Sequence, residues 1–264
     1  MKFFKANNFS LNLGEKTYIM GILNLTPDSF SDGGIWNSPN KAIERAITLE
    51  KLGADIIDIG AQSTRPGYTK ISAAEEIKRL ENILPKIRKE VNIPISIDTF
   101  YPEVAEFSLS VGVDILNDVT GFKNGDMIDI ASKSKCGIIC MHDEPGFNVT
   151  PFFKDRLNAL LKKEIEKDRI CFDPGIGFGK TYEENLYILK NLKSLKLDGY
   201  PILIGASRKR VIGAPCGNPP FNERMPGTIA AHTIAISGGA DIIRVHDVKE
   251  AVQAAKVADA ILKS

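Results

Sequence analysis

The stretch Gly53-Ala-Asp-Ile-Ile-Asp-Ile59 contains the unit from which the chain is built. A glycine ends one helical pattern, an aspartate follows, and a short β-branched run begins at once. The same order returns in Gly112-Val-Asp-Ile-Leu116 and Gly239-Ala-Asp-Ile-Ile243. Continuous apolar runs of this length are typical of strands that are buried on both faces of a parallel sheet. The repeat therefore indicates helices that lead into parallel strands.

Eight such runs alternate with amphipathic segments along the 264 residues, and they predict the strands Tyr18–Leu23, Asp55–Ile59, Pro94–Ile97, Val113–Leu116, Gly137–Met141, Arg169–Phe172, Pro201–Ile204 and Asp241–Val245. Eight βα units without a long linker favour a closed (β/α)8 TIM barrel over an open doubly wound sheet. No Gly-x-Gly-x-x-Gly motif follows the first strand, which also favours the barrel. We therefore expect residues 1–264 to form a single α/β domain. Residues Asn7–Thr17 are expected to add a short hairpin at the barrel bottom.

Helix starts are marked by side chains that can accept a hydrogen bond from the first turn. Ser72 with Glu75, and Thr181 with Glu184, have the spacing of a capping box. Asp247 is expected to cap the last helix.

The composition is that of an ordinary globular protein, with 43% hydrophobic and 25% charged residues. A formal net charge of +1 argues against a general nucleic-acid surface. No apolar run approaches the ~20 residues that span a bilayer. The four cysteines have no metal-site spacing and indicate a reducing compartment. We expect a cytoplasmic protein that binds neither nucleic acid nor membrane.

Polar residues gather where a barrel keeps its active site, at the carboxyl ends of the strands. Asp118, Asp143 and Asp247 are interpreted as structural groups, and any single residue has such an explanation. Buried charges of both signs at one barrel mouth are costly unless they are paired or used on a ligand. The set predicts a ligand with hydrogen-bond donors and anionic groups; its members are Asn24, Asp58, Asp98, Asn117, His142, Asp173, Ser207, Lys209, Arg244 and His246.

Seven motifs, in order along residues 18–262, resemble the dihydropteroate synthase family. They are Met20–Gly34, Ser63-Thr-Arg-Pro-Gly67, Ser96-Ile-Asp-Thr99, Asn117-Asp-Val-Thr-Gly121, Asp173-Pro-Gly-Ile-Gly-Phe-Gly-Lys180, Ser207-Arg-Lys209 and Arg244-Val-His-Asp-Val248. The resemblance implies a transferase that joins 6-hydroxymethyl-7,8-dihydropterin diphosphate to p-aminobenzoate and releases pyrophosphate, in folate biosynthesis. It also implies a homodimer.

The resemblance assigns the polar residues to three parts of one site. The pterin would contact Asp98, Asn117, Asp173 and Lys209, with Met141 and Phe178 as walls. The diphosphate would contact Arg244 and His246, with Mg²⁺ held by Asn24. The resemblance implies that p-aminobenzoate is held by Phe30, Thr64, Arg65, Pro66 and Ser207. Asp173, Lys209, Asp28 and Arg65 are the expected catalytic residues.

Two departures from the family pattern lie at the edge of this site. Ala61-Gln62 stands where the family commonly has Gly-Glu, and Asp143-Glu144 follows the fifth strand in place of the usual residues. Three other functions stay open. They are a pterin-binding paralogue without activity, a methyltetrahydrofolate methyltransferase with a corrinoid partner, and a barrel for an unrelated phosphorylated metabolite.

Overall fold

The computed structural model describes residues 2–25, 39–62 and 69–264. Within these ranges the strands, in chain order β1 to β10, are Lys2–Ala6, Phe9–Leu13, Tyr18–Asn24, Ile56–Gly60, Ile95–Asp98, Ile115–Asp118, Gly137–Met141, Ile170–Asp173, Leu203–Ile204 and Ile242–Val245. The helices, α1 to α11, are Pro39–Lys51, Ala73–Leu80, Leu84–Glu90, Pro102–Ser110, Gly125–Ser132, Val149–Lys162, Tyr182–Lys190, Leu192–Leu195, Arg210–Gly213, Met225–Ser237 and Val248–Lys263.

Eight strands form one parallel sheet in the order β8-β7-β6-β5-β4-β3-β10-β9. A further parallel bridge between Phe172 and Ile202 joins the two ends of this sheet, so the strands surround a common axis. The (β/α)8 barrel is therefore confirmed, and each predicted strand is found within two residues of its predicted ends. Several strands extend past the predicted end, which places Asn24, Asp98, Asn117 and Asp173 inside the sheet.

An antiparallel hairpin of β1 and β2 covers the bottom of the barrel. Phe4 and Ala6 are buried against residues of the barrel interior: Met20, Ile56, Ile115, Ile139, Cys171, Leu203 and Ile242. The amide of Asn7 donates to the carbonyl of Lys135 at 2.8 Å. The expected hairpin is present, but its predicted range Asn7–Thr17 was wrong because it leaves out the first strand, Lys2–Ala6. The first strand precedes Asn7, because the inward residues that fill the barrel bottom are Phe4 and Ala6.

The helix starts agree with the sequence in part. Thr181 and Glu184 form a complete capping box at α7. Ser72 accepts a hydrogen bond from the Glu75 amide at 3.2 Å. Asp247 immediately precedes α11, but its carboxylate accepts from the Arg208 Nε at 2.9 Å. The prediction that Asp247 caps α11 with its side chain was wrong, because a guanidinium competes for the same oxygens. Among the described residues, no helix is both long and apolar enough to cross a membrane.

Candidate active site

The strand ends bring the predicted polar residues to one mouth of the barrel. Asn24, Asp98 and Asp173 are the last residues of β3, β5 and β8, and Asn117 is the last but one of β6. Parallel strands end at the same edge of a sheet, so residues far apart in sequence become neighbours. The pairing register places Asp98 directly beside Asn117. The same edge therefore carries carboxylates and an amide, which together can accept several hydrogen bonds from one ligand.

A guanidinium joins two of the strand carboxylates. Arg244 Nε donates to Asp58 Oδ2 at 2.5 Å, and Arg244 Nη2 donates to Asp98 Oδ2 at 2.9 Å. Burial alone would lower the pKa of Arg244, but the charges of Asp58 and Asp98 raise it above its usual value. One cation shared by two carboxylates leaves a negative charge uncompensated. Burial, with Asp58 nearby, accordingly raises the pKa of Asp98 despite Arg244. Arg244 therefore contacts Asp98, a residue of the pterin half of the predicted site.

A second cluster forms around Asp173 and Lys209. Asp173 Oδ1 accepts a hydrogen bond from the Gly175 amide at 2.7 Å. Lys209 Nζ donates to the Ile176 carbonyl at 2.5 Å and lies 4.5 Å from the centre of the Phe178 ring. Burial lowers the pKa of Lys209 to about 8, while Asp173 acts in the opposite direction. Burial raises the pKa of Asp173, and Lys209 opposes that shift. Asp173 and Lys209 thus each act on the pKa of the other, and the Phe178 ring lies beside the Lys209 ammonium.

The glycines after β8 let two backbone segments approach closely. Gly175 has a φ of +70°, and a Cβ built on it would lie 2.0 Å from the carbonyl oxygen of His142. That carbonyl also accepts from Lys180 Nζ at 2.9 Å, and the Phe178 carbonyl accepts from the same ammonium at 3.0 Å. Burial lowers the pKa of Lys180 to about 8. The turn is therefore a place where only glycine fits, and it presents Asp173 and Phe178 to the mouth.

Replacing Gly175 with alanine is expected to lower the free energy of unfolding by about 3 kcal/mol, because a Cβ would overlap a backbone oxygen that cannot move freely. Gly199 is the matched control, since it has a φ of +90° and a Cβ added to it would have no neighbour within 4 Å. Gly199→Ala should cost only about 1 kcal/mol, from the left-handed backbone alone. Urea unfolding of the two variants measures the difference. Equal losses in both would show that the close approach is not important.

Ser207 and His246 contact each other. Ser207 Oγ is 3.0 Å from His246 Nδ1 and accepts from the His246 amide at 3.2 Å. His232 is buried, and its Nε2 accepts from the Ala206 amide at 3.2 Å. Burial lowers the pKa of His232 to about 4, so this ring is a neutral part of the framework. His246 is instead half-buried at the mouth, where it can reach a ligand.

Glu76 is a buried acid that the sequence analysis did not single out. It lies on α2 with 0% of its surface exposed. Burial raises the pKa of Glu76 to about 7, and the negative charge of Asp98 adds to the shift. The charge of Asp98 therefore acts on the Glu76 carboxyl group. A signal was available in the sequence only as the second acid of Glu75-Glu76, which is equally typical of an exposed helix start.

Glu76→Gln is expected to become more stable relative to the unmodified protein as pH rises. Glu76 binds its proton more tightly in the folded state, with a pKa of about 7 against 4.5 in its ordinary setting. Its contribution to stability is complete below about pH 4.5 and is lost as pH rises through about 7. The Glu76→Gln variant does not undergo this loss. Its free energy of unfolding should therefore rise, relative to that of the unmodified protein, by up to about 3 kcal/mol between pH 5 and 8.5.

Urea unfolding at several pH values tests this expectation. Glu75→Gln is the control, because its side chain is 44% exposed and faces Arg79. Parallel stability curves for Glu76→Gln and the unmodified protein would contradict the buried, raised-pKa acid.

The two departures from the family pattern make local contacts. Gln62 is buried, and its Oε1 accepts from the Ile71 amide at 2.8 Å. This hydrogen bond joins the two ends of the segment between β4 and α2. Lys123 pairs with Asp143 at 2.6 Å and with Glu144 at 3.1 Å. The acids after β7 thus bind a cation from the neighbouring loop, in agreement with the structural role expected for Asp143.

Several predicted site residues lie outside the described part of the chain: Asp28, Phe30, Thr64, Arg65 and Pro66. Met141 is buried at the end of β7, in register with Asp173. Asp118 behaves as the structural group expected of it, because its carboxylate accepts from the amides of Thr120 and Phe122 at 2.7 and 2.9 Å. The described residues therefore contribute the pterin and diphosphate parts of the predicted site, and one residue, Ser207, of the third part.

Comparisons with known proteins show which family this chain resembles. The family model described as "Pterin binding enzyme" matches residues 20–246. The dihydropteroate synthase of Clostridium beijerinckii is 44% identical, with 98% of this chain and 99% of that protein covered. A solved dihydropteroate synthase from Clostridium difficile, in the presence of pteroic acid, is 43% identical, with a TM-score of 0.91 and coverage of 96% and 100%. The Xanthomonas albilineans dihydropteroate synthase with 4-aminobenzoic acid is 36% identical, with a TM-score of 0.91 and coverage of 97% and 96%.

The family match extends over most of the chain, and it includes every described residue of the polar mouth from Asn24 to His246. Relatives of this identity share both the barrel and its full length. The chain therefore belongs to the pterin-binding enzyme family, and within it to the dihydropteroate synthases.

Proposed function

We propose that residues 1–264 form one catalytic domain that joins the methylene carbon of 6-hydroxymethyl-7,8-dihydropterin diphosphate to the amino group of p-aminobenzoate. The products are 7,8-dihydropteroate and pyrophosphate. The observation that carries the proposal is the buried mouth itself, where Asp98, Asn117 and Asp173 lie beside the cations Lys209 and Arg244. Few ligands other than a hydrogen-bonding heterocycle with an anionic group would use all of these residues.

The pterin half of the site is proposed to consist of Asp98, Asn117, Asp173 and Lys209. A pterin presents an edge of alternating N–H donors and acceptors, which suits carboxylates together with an amide and an ammonium. Support comes from the burial of Asp98, Asn117 and Asp173, which are at most 8% exposed. Met141 and Phe178 would provide the walls of the slot. Phe178 already lies beside Lys209, so the aromatic face and the ammonium can contact one ring together.

The diphosphate is proposed to bind Arg244 and His246, with Mg²⁺ beside Asn24. Among the described residues, no three His, Cys, Asp or Glu side chains cluster as a protein-built metal site requires. Mg²⁺ commonly takes one or two protein oxygens and completes its shell with phosphate oxygens and water. The Asn24 amide oxygen could be such a protein ligand, because it lies at the mouth near Gly60 and Asp98. Bound there, the ion would neutralise charge on the diphosphate.

The p-aminobenzoate is proposed to lie between Ser207 and the residues Phe30, Thr64, Arg65 and Pro66. An aromatic carboxylate needs a flat apolar slot and hydrogen-bond donors at one end. Arg65 suits the carboxylate through its planar fork of donors. Asp28 is proposed to complete the site beside these residues.

The chemical step needs no protein nucleophile. The bond between the exocyclic methylene carbon and the diphosphate oxygen breaks, and its electron pair leaves with the pyrophosphate. The amine nitrogen of p-aminobenzoate forms the new bond to that carbon and gives up one proton to solvent. Asp173 would stabilise positive charge that develops on the pterin, and Arg244 would stabilise the leaving group. Lys209 would hold the heterocycle so that the methylene carbon faces the amine.

Pyrophosphate release from the pterin diphosphate, measured in Mg²⁺ with and without p-aminobenzoate, tests the function. Release that depends on p-aminobenzoate, together with chromatographic detection of dihydropteroate, is the expected result. Tight pterin binding without release would favour the inactive paralogue. Methyl transfer from methyltetrahydrofolate to a corrinoid would favour the methyltransferase. The absence of any pterin binding would contradict both the site and the function.

We further propose that two copies associate through α10 and α11, in the cytoplasm. Large apolar side chains are exposed on these helices: Ile234 at 58%, Val257 at 56%, Ile261 at 67% and Leu262 at 54%. A run of exposed apolar residues on neighbouring helices is typical of an interface. Three buried cysteines that form no disulfide support a reducing compartment.

Ile261→Lys is expected to convert a dimer into a monomer of 28.9 kDa, because a charge would be buried at the contact. Light scattering coupled to size exclusion measures the mass. Asn158→Lys adds the same charge to an exposed position of α6 and is the control. A monomeric mass for the unmodified protein would refute the dimer, and a dimeric mass for Ile261→Lys would move the interface elsewhere.

A further inference from the structure

Asp58 belongs to the polar set at the mouth, and it connects two residues to which the resemblance assigns ligand contacts. It lies in the middle of β4 with 0% of its surface exposed. Arg244 Nε donates to its Oδ2 at 2.5 Å, and Asn117 Nδ2 donates to both of its oxygens at 3.3 Å. The partners are 186 and 59 positions away in sequence. Closure of the barrel alone brings the three side chains together.

The contact with Asn117 determines which end of that amide faces which way. An ionised carboxylate can only accept hydrogen bonds, so the nitrogen of Asn117 and not its oxygen must face Asp58. The Asn117 carbonyl oxygen therefore points away from Asp58. Without that carboxylate, a rotation of 180° about the last side-chain bond would exchange donor and acceptor at little cost. In a fraction of the protein molecules, a ligand that donates a hydrogen bond to the Asn117 oxygen would then face the Asn117 nitrogen instead.

The ion pair with Arg244 stabilises the buried carboxylate of Asp58. A buried carboxylate without a counter-charge is strongly unfavourable, and the guanidinium offsets that penalty in a charge-assisted hydrogen bond. Arg244 also binds Asp98, so the guanidinium is fixed at two points. Asp58 consequently has a stable partner on one side and an orientable amide on the other.

We propose that Asp58 is a positioning residue for the pterin, which it recognises indirectly by fixing the orientation of the Asn117 amide. The inference rests on the proposed contact between Asn117 and the pterin. Asp58 itself is fully buried and contacts Asn117, and its proposed effect on binding passes through that side chain.

The first experiment compares Asp58→Asn with Asp114→Asn. Asp114 is also buried, and it accepts from Arg88 Nη1 at 2.8 Å and from the Ile95 amide at 3.0 Å. It precedes β6 and therefore lies at the opposite end of the barrel. Calorimetric titration with 6-hydroxymethyl-7,8-dihydropterin, which lacks the diphosphate, should show about 10-fold weaker binding for Asp58→Asn, the loss of one oriented hydrogen bond. Asp114→Asn should stay within about twofold, although both variants lose thermal stability.

The second experiment repeats Asp58→Asn in an Asn117→Ala background. If Asp58 acts through the amide, its substitution should change pterin affinity by less than about twofold once the amide is gone. A full 10-fold loss in that background would overturn the proposal. Pterin binding by Asp58→Asn that equals the unmodified protein would overturn it as well. Failure of the unmodified protein to bind pterin would instead refute the proposed function.

A measurement on the unmodified protein covers the case in which Asp58→Asn does not fold. In a ¹⁵N-labelled sample, the side-chain NH₂ resonance of Asn117 is identified by its loss in Asn117→Ala. A nitrogen held against a buried carboxylate should exchange its protons at least about 10-fold more slowly than the exposed Asn158 side chain. Equal exchange rates would contradict the proposed fixation.

Discussion

Asp173→Asn is expected to lower kcat/KM for dihydropteroate formation by about 100-fold or more, the usual size of the effect when one electrostatic contact to a transition state is removed. Asparagine keeps the shape of the side chain, and its oxygen can still accept from the Gly175 amide, which lies 2.7 Å from Asp173 Oδ1. It removes the negative charge beside Lys209. In the proposed mechanism, positive charge that develops on the pterin as pyrophosphate leaves would then lack the carboxylate proposed to stabilise it.

Asp114→Asn is the control for this experiment too, because Asp114 is a buried, ion-paired aspartate at the other end of the barrel. Steady-state kinetics and thermal melts should be recorded for both variants. The control should lose stability and keep its turnover within about twofold, whereas Asp173→Asn should lose turnover. Near-normal kcat/KM in Asp173→Asn would refute the catalytic role of Asp173.

Lys209→Met is expected to raise the KM for the pterin diphosphate by about 100-fold and to abolish a decline in activity at alkaline pH. The ammonium donates to the Ile176 carbonyl and lies over the Phe178 ring. Burial lowers its pKa to about 8. Because only the protonated form donates and carries charge, kcat/KM of the unmodified protein should fall as pH rises through about 8. Methionine has similar length and no charge, so its profile should be flat there.

Two further lysines serve as controls for this pH profile. Lys196→Met removes an ammonium that binds the Gly239 carbonyl at 2.9 Å and pairs with Asp241, before β10 at the barrel bottom. Its profile should match the unmodified protein. Lys180→Met tests the other lysine with a pKa of about 8. An alkaline decline that persists in Lys209→Met and disappears in Lys180→Met would transfer the role to Lys180.

Much of the site could be predicted because it lies at strand ends. Asp98, Asn117 and Asp173 lie where short apolar runs end in the sequence. In a parallel barrel the carboxyl ends of all strands meet at one mouth, so these residues are expected there. Lys209 and His246 follow from the same rule applied to β9 and β10. Asp28, Phe30 and Pro66 were assigned by resemblance, whereas Thr64 and Arg65 also follow a predicted strand. All five stay predictions because they lie outside the described residues.

Other features could not be predicted because they depend on side-chain packing. The pair Glu75-Glu76 does not by itself show that Glu76 is buried and Glu75 only half-buried, since the neighbouring elements decide which helix face meets the barrel. Asp247 has the position and type of a helix cap, yet Arg208 binds it because the turn at Ser207 brings that guanidinium within reach. The same applies to Gln62, whose bond to the Ile71 amide depends on the path of the chain between them.

The strand and helix order, the closed barrel, the family and the types of residue at the mouth could all be predicted from the amino-acid sequence alone. These predictions start from local patterns, because apolar runs, caps and glycines act on their own stretch of backbone. The folded structure was needed to show that Arg244 binds both Asp58 and Asp98, and that Asp58 faces the nitrogen of Asn117. Such pairings depend on distances across the barrel axis, and these distances exist only once all eight strands have closed around it.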